Sequence, residues 1–342
     1  MSKGGAHFSS QELAMVLSHY DIGVIHEVKP LSGGNLRAPK VVILSDKGKF
    51  LLKRRSRGKD DLYRVAFAHS LQAHLAGRGF PVATLIPTTD EKNTILQLDH
   101  HIYECFGFIT AVRYNASVEA TMDAGRQLAN FHKFSADFAC ERKPLRGSFH
   151  DSQIVRRHVK MVGAEKAAWA DKRLKNVSEE LMELYNAASI KVSALGFDNW
   201  PEQVVHGDWH PGNMLFKGQK LVAVLDFDSV KLAAAVTDIA NGMLQFSIVG
   251  SRPNPADWPD YLDQAKLVQF LNGYQEVINL DENHLDSLIE LMIETIIAEA
   301  VLPIATTGFF GNLSGLDFLK MILRKAKWIH QNRDKIKDAI AT

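Results

Sequence analysis

Two carboxylates and one carboxamide in a short stretch of this chain have the types and spacing for metal-assisted phosphoryl transfer. In His206-Gly207-Asp208-Trp209-His210-Pro211-Gly212-Asn213 an aspartate and an asparagine are separated by four residues. A loop of that length returns the chain so that both side chains enter one cleft. There a carboxylate can face a nucleophilic hydroxyl while a neutral amide oxygen faces Mg²⁺. Downstream, the turn Lys217-Gly218-Gln219-Lys220 leads into the apolar run Val222-Ala223-Val224-Leu225, which ends in Asp226. A strand that leaves the loop and returns through this turn sets Asp226 beside Asn213. One carboxylate and one amide oxygen, with phosphate oxygens and water in the other positions, is how Mg²⁺ is usually held. Asp208 is therefore the candidate catalytic group, and Asn213 and Asp226 are the candidate metal ligands. Asp228 could hold a second metal, orient the loop or be structural, and the spacing does not choose. His206 is expected to pack under the loop, and His210 receives no chemical role.

Phosphates need a cation and backbone donors. Phe50-Leu51-Leu52-Lys53 is an apolar strand ending in a lysine, suited to the α- and β-phosphates of ATP. The preceding turn Ser32-Gly33-Gly34-Asn35 could offer backbone N–H groups to the same anion. It lacks the G-x-G-x-x-G form. The rest of the basic run Lys53-Arg54-Arg55-Ser56-Arg57-Gly58-Lys59 reads as a solvated strand end and loop. ATP and Mg²⁺ are the expected cofactors.

The elements that must position these groups are legible in outline. Ser10 is a candidate cap for a helix over 11–20, and β-rich runs at 24–30, 40–45 and 49–54 are separated by turn signals. Leu62, Val65, Leu71 and Leu75 recur at helical spacing over 60–76, and strands at 94–98 and 101–106 complete a five-stranded antiparallel sheet. From Val118 onward helices dominate, at 118–138, 150–170, 172–192, 262–278, 283–304 and 315–339, interrupted by a β-rich island between Val204 and Val230. The fold class is α+β, with a nucleotide-binding lobe over 1–106 and a helical catalytic and substrate-binding lobe over 107–342.

Composition narrows the partners. The chain has 342 residues, with 40 Lys and Arg against 39 Asp and Glu, a formal charge of +1. Such a balance argues against a nucleic-acid coat or an anionic-membrane binder. Its two cysteines, Cys105 and Cys140, make neither a disulfide framework nor a zinc cluster. The stretch from Leu288 to Gly311 is apolar but carries Glu290, Glu294 and Glu299, as a buried soluble helix would. No secretory signal is visible, so cytoplasmic residence is expected. Whether the chain forms a homodimer is left open.

The constellation resembles the aminoglycoside phosphotransferase and choline kinase superfamily, nearest its spore-coat kinase-like and type II homoserine kinase-like branches. His206 to Asn213 is close to that superfamily's H-G-D-x-H-P-G-N. Leu225-Asp226-Phe227-Asp228 with Thr237-Asp238-Ile239-Ala240 resembles its paired acidic motifs. Leu128-Ala129-Asn130-Phe131-His132 resembles its L-A-x-L-H helix, and Leu75 to Val82 the helix end before the hinge strands. The resemblance implies a bilobal protein-kinase-like fold with a small antiparallel sheet plus one helix and a larger helical lobe. It implies adenine against the backbone of Glu104, Cys105 and Phe106, and a small-molecule hydroxyl as acceptor. Asp238 becomes a buried group at a helix N-terminus. The helix over 60–76 departs from the pattern. It has no glutamate to pair with Lys53 and offers Asp60, Asp61, His69 and Gln72. That absence motivates an alternative, a nucleotide-binding scaffold without turnover. Only eleven residues separate Asp226 from Asp238, too few for the long activation segment of protein kinases. For the acceptor, Glu290, Glu294, Glu299, Phe309 and Phe310 would suit a cationic amino alcohol or aminoglycoside, or be surface carboxylates and core rings. Trp209 could floor the acceptor pocket or simply pack.

Overall fold

The computed structural model describes residues 7–31, 38–90, 92–142, 144–164, 173–250 and 252–341. Ser32, Gly33 and Gly34, expected over the phosphates, lie outside the described residues. Helix α1 (Ser10–Leu17) is capped by Ser9 rather than Ser10. The Ser9 hydroxyl accepts from the Glu12 N–H, and Glu12 reaches back to the Ser9 backbone, a reciprocal capping box.

Strands β1 (Ile25–Pro30), β2 (Lys40–Ser45) and β3 (Gly48–Arg54) form an antiparallel meander, followed by helix α2 (Leu62–Gly77). Strands β4 (Leu96–Leu98) and β5 (His101–Gly107) complete a five-stranded sheet in the order β1-β2-β3-β5-β4. Side-chain alternation divides its labour. Val41, Ile43, Leu52, Tyr103 and Cys105 pack against Val16, Tyr20 and Ile22 on one face. Leu51, Lys53, Glu104 and Phe106 line the cleft on the other. Helix α2 is not confined to the small lobe, because its Leu71 and Leu75 join the large core.

Residues 108–111 cross to β6 (Val112–Arg113), which pairs with a strand of the large lobe. Next come α3 (Val118–Ser135), β7 (Leu145–Arg146), α4 (Gln153–Gly163) and α5 (Arg173–Ala194). The β-rich island supplies β8 (Glu202–Val205), β9 (Met214–Lys217), β10 (Lys220–Val224) and β11 (Lys231–Ala234). Helix α6 (Val236–Ser247) follows directly, with Asp238 buried in its first turn as the resemblance implies. Ten of its twelve residues are buried, polar ones included. The remaining elements are α7 (Gln264–Gln275), α8 (Glu282–Thr307), β12 (Phe309–Phe310), β13 (Leu313–Ser314), α9 (Gly315–Gln331) and α10 (Arg333–Ile340). The single helix expected over 315–339 is thus two, meeting at Asn332, whose side chain bonds the Trp328 carbonyl at 2.9 Å. Helices α3 and α7 touch backbone to backbone at Gly125 and Gly273. A Cβ on either would come within 1.9 Å of a facing carbonyl oxygen. Helix α8 runs through the core, and no described helix is long and apolar enough to cross a membrane.

Candidate active site

Strand β8 delivers the chain into the catalytic loop at His206. Gly207 turns there with φ +73°, and a Cβ would lie 2.5 Å from the Ser229 carbonyl oxygen. Asp238, in the first turn of α6, clamps this turn. Its carboxylate accepts from the His206 N–H at 2.6 Å and the Gly207 N–H at 2.8 Å, with His132 at 3.4 Å. Burial would push the Asp238 carboxyl up, but the His132 hydrogen bond and neighbouring charges hold it below its ordinary value. His206 is buried under the loop, as expected, and burial holds its ring below the usual histidine range. Trp209 is wholly buried against Phe131 and His206, so it packs and does not floor a pocket.

The loop closes through a 3-10 turn, Pro211–Asn213, whose Gly212 N–H donates to His210 Nδ1 at 3.0 Å. Asn213 then reaches back. Its Nδ2 donates to the Asp208 carbonyl at 3.1 Å and to Asp208 Oδ2 at 2.9 Å. The hairpin of β9 and β10 returns the chain, and the Leu225 N–H donates to the Asn213 carbonyl at 2.8 Å. Asp226 is thereby set beside Asn213. It adopts the left-handed conformation, φ 59° and ψ 69°, which non-glycine residues visit rarely and mostly at functional sites.

These two residues fit a hard divalent cation. The Asn213 amide nitrogen is spent on Asp208, leaving Oδ1 as a neutral donor at the cleft. The Asp226 carboxylate is exposed in the same cleft and makes no hydrogen bond or ion pair among the described residues. Among those residues no cluster of three or more His, Cys, Asp and Glu gathers to cage a metal. A Mg²⁺ site completed by phosphate oxygens and water needs no such cage.

Lys53 does have a carboxylate partner, and it comes from a strand. Lys53 and Glu104 are directly opposed in the β3–β5 ladder, with Nζ to Oε2 at 3.6 Å. Glu104 also receives Arg55 at 2.5 Å and His69 Nε2, from α2, at 2.8 Å. His69, one of the α2 groups on offer in place of a glutamate, shares Glu104 with Lys53. Burial alone would raise the Glu104 carboxyl. The His69 hydrogen bond and the Lys53 and Arg55 charges outweigh that and hold it at about 2.

Arg55 corrects the reading of the basic run as solvated. It is only 6% exposed because alternation puts it on the cleft face with Lys53, while Arg54 points away to Glu12 at 2.6 Å. Its second nitrogen pairs with Asp228, which Lys59 also reaches at 3.3 Å. Against the burial that would raise it, the charges of Lys53, Arg55 and Lys59 keep the Asp228 carboxyl at about 2. Asp228 is thus committed to a tether from the 3-10 turn after Asp226 to the small sheet.

The strand expected to meet adenine has part of its backbone engaged within the protein. The Cys105 carbonyl accepts from Ile86 N–H at 2.9 Å, and Gly107 N–H donates to Thr84 at 2.8 Å, so this strand backbone is already used. Cys105 itself faces the small core, where burial pushes its thiol up to about 12. Glu104 and Phe106 line the cleft with their side chains. Beyond Gly107 the Phe108 N–H donates to the Lys49 carbonyl at 2.9 Å, and Phe108, Ile109 and Ala111 line the cleft of about 430 Å³.

On the far side of Asp208 the helices supply charge. His210 lies 3.6 Å from Asp208, burial lowering its affinity for a proton and Asp208 more than restoring it. Burial raises Asp208, but His210, His206 and Asn213 hold it below its ordinary value, so it stays ionised at neutral pH. Glu290 and Glu294 are neither surface groups nor available to an acceptor. Glu290 pairs with Lys191 at 2.9 Å and Arg333 at 2.7 Å, and Glu294 with His150 at 2.9 Å. Phe310 stacks on Phe318 at 3.9 Å, and Phe309 is exposed. Glu299 alone of the five stands near Asp208. Burial and repulsion from Asp208 push it up to about 7, against hydrogen bonds from Asn241 and Gln245.

Comparison with known proteins places this geometry. Residues 27–288 match the sequence pattern of the phosphotransferase enzyme family. The chain belongs to that family. A homoserine kinase of Brucella abortus (strain S19) is 26% identical over 293 residues, covering 82% of this chain and 79% of the relative. Among the first curated relatives the match spans as little as 63% of the relative's length. A microcompartment-associated aminopropanol kinase superposes with a TM-score of 0.69 at 14% identity, covering 96% of this chain and 99% of the other. The spectinomycin phosphotransferase APH(9)-Ia, in complex with ADP and spectinomycin, gives 0.66 at 18% identity, covering 95% and 99%. Membership of the aminoglycoside phosphotransferase and choline kinase superfamily, and the kinase-like α+β fold, are as the motifs implied.

Proposed function

We infer that the protein transfers the γ-phosphoryl group of ATP to a hydroxyl of a small molecule. The carrying observation is the Asn213–Asp208 hydrogen bond at 2.9 Å, which holds an ionised carboxylate where the cleft meets the helical lobe. Asn213 and Asp226 would hold Mg²⁺, which when bound neutralises phosphate charge. Lys53, kept in place by Glu104, offers its ammonium to the α- and β-phosphates. Asp208 aligns the acceptor hydroxyl for in-line attack. The bond from phosphorus to the β–γ bridging oxygen breaks as the bond to the acceptor oxygen forms. Asp208 accepts the hydroxyl proton late, and ADP departs. The loose transition state makes positioning and charge neutralisation the main contributions.

Glu104 meets the objection behind the scaffold reading, since Lys53 has its carboxylate from β5. The segment between Asp226 and Asp238 is a 3-10 turn, β11 and the start of α6, which favours a small acceptor over a protein. ADP release with Mg-ATP, run against amino alcohols, hydroxy amino acids, sugars and aminoglycosides, tests the reading. Wild type should release ADP with one acceptor class. Asp208→Asn should lose at least about 1,000-fold while still binding nucleotide. Undiminished turnover by that variant would remove Asp208 from the mechanism.

A further inference from the structure

Lys40 is a half-buried cation on the wall of the nucleotide cleft. It opens β2, where alternation sends Val41 and Ile43 into the small core and leaves Lys40 on the cleft face with Lys53.

The register of the sheet gives this lysine its neighbours. Lys40 is directly opposite Lys53 across β2 and β3, and Lys53 is directly opposite Glu104 across β3 and β5. One transverse row of the sheet thus reads ammonium, ammonium, carboxylate. Glu104 is at the far end of that row from Lys40 and already receives Lys53, Arg55 and His69. Two ammonium groups facing each other across a ladder repel. An anion lying against both turns the repulsion into attraction.

The rest of the wall has the same bias. Among the described residues five lysines and arginines line the cleft against three carboxylates. Arg55 and Lys59 are spent on Glu104 and Asp228, yet an excess of positive charge remains, which the net negative charge of Mg-ATP would meet. Burial and then the Lys53 charge lower the proton affinity of Lys40, and Asp226 opposes them. Lys40 therefore stands in the fields of two groups that bracket a triphosphate. Lys53 is offered to the α- and β-phosphates, and Asp226 would hold the metal that bridges β- and γ-oxygens.

We propose that Lys40 is a second phosphate-binding lysine, placed on the γ-phosphoryl group of the bound nucleotide. Lys53 takes the inner phosphates from one side of the ladder, and Lys40 takes the terminal one from the other. This rests on the phosphotransfer reading and deepens it at the donor. In-line transfer keeps charge on the three equatorial oxygens of the moving group, so Lys40 neutralises that charge before and during transfer. ADP lacks the group and gives Lys40 far less to hold.

The test sets nucleotide binding beside turnover. A non-hydrolysable ATP analogue, ADP and adenosine, each with Mg²⁺, are titrated calorimetrically into wild type, Lys40→Met, Lys40→Arg and Lys29→Met. Lys40→Met should bind the ATP analogue about tenfold or more weakly, ADP less than about threefold more weakly, and adenosine as wild type does. Retained adenosine binding separates a lost phosphate contact from a misfolded cleft. Lys40→Arg should recover most of the loss, because a guanidinium also holds phosphate. Lys29, exposed on β1 and paired with Glu27, controls for charge alone, and Lys29→Met should match wild type. In ADP-release assays kcat/KM for ATP should fall in Lys40→Met by at least the factor lost in binding, with KM for the acceptor unchanged. Unchanged affinity for the ATP analogue, or equal losses on the analogue, ADP and adenosine, would overturn the inference while the kinase stood. Equal losses on the analogue and ADP, with adenosine spared, would overturn the assignment to the γ-phosphoryl group. A loss confined to the analogue, in a protein that releases no ADP with any acceptor, would support the Lys40 site and count against the phosphotransfer reading.

Discussion

Glu104 shows how one side chain can take over a task assigned elsewhere. It stands on β5 opposite Lys53, collects Arg55 and His69, and is 2% exposed. Removing one member of a buried charged set leaves the others uncompensated, at a cost of about 3–5 kcal/mol. Glu104→Gln should therefore lower the urea midpoint with little change in slope, and a wild-type midpoint would contradict the role. The same group predicts acid behaviour. Its folded pKa of about 2 lies below the ordinary 4.5. Its stabilisation is thus complete above the unfolded value and is lost as pH falls from about 4.5 towards 2. Wild type should lose stability more steeply over that window than Glu104→Gln; parallel curves would contradict it. The position of Glu104 was readable in principle. In His101 to Gly107 the alternate residues Ile102, Glu104 and Phe106 share a face, and a carboxylate there needs a cation across the ladder.

At the scale of elements, the catalytic loop is held from three sides: by β8 before it, by the Leu225–Asn213 bond after it, and by Asp238 of α6 beneath it. Gly207 is where these constraints meet. Gly207→Ala puts a methyl 2.5 Å from the Ser229 carbonyl in a left-handed backbone. The loop must shift, so turnover should fall at least tenfold while nucleotide affinity changes less. An unchanged kcat would show that the turn tolerates a side chain. Much of this was legible in sequence, since the spacing from Asp208 to Asn213 and the Lys217–Lys220 turn bring Asn213 and Asp226 together as expected. The strands of the small sheet were legible from alternation between turn signals. Helix α6 was legible only at its N-terminus, through Asp238. Its bounds were not, because ten of its twelve residues are buried, with the polar Asp238, Asn241 and Ser247 among them, so polarity does not mark an outer face. Nor was the tie of Arg55 to Asp228, a contact between residues 173 positions apart that no local pattern encodes.

For the whole molecule, that tie matters most. Arg55 and Lys59 extend from the small lobe to Asp228, in the 3-10 turn that follows the candidate metal ligand Asp226, along the cleft between the lobes. With α2 sharing the large core, the two lobes are coupled by packing at the back and charge at the front. A double-mutant cycle on Arg55→Met and Asp228→Asn should read a coupling of about 1–3 kcal/mol in unfolding free energy. Strict additivity would mean the lobes are held together elsewhere. The most direct test of the central claim is ³¹P NMR of the enzyme with Mg-ATP and a mixture of small hydroxylated acceptors. Loss of the γ-phosphate signal with growth of a phosphate-monoester signal, absent with Asp208→Asn, is the predicted result. An intact ATP spectrum with every acceptor class, or monoester formation undiminished in Asp208→Asn, would contradict it.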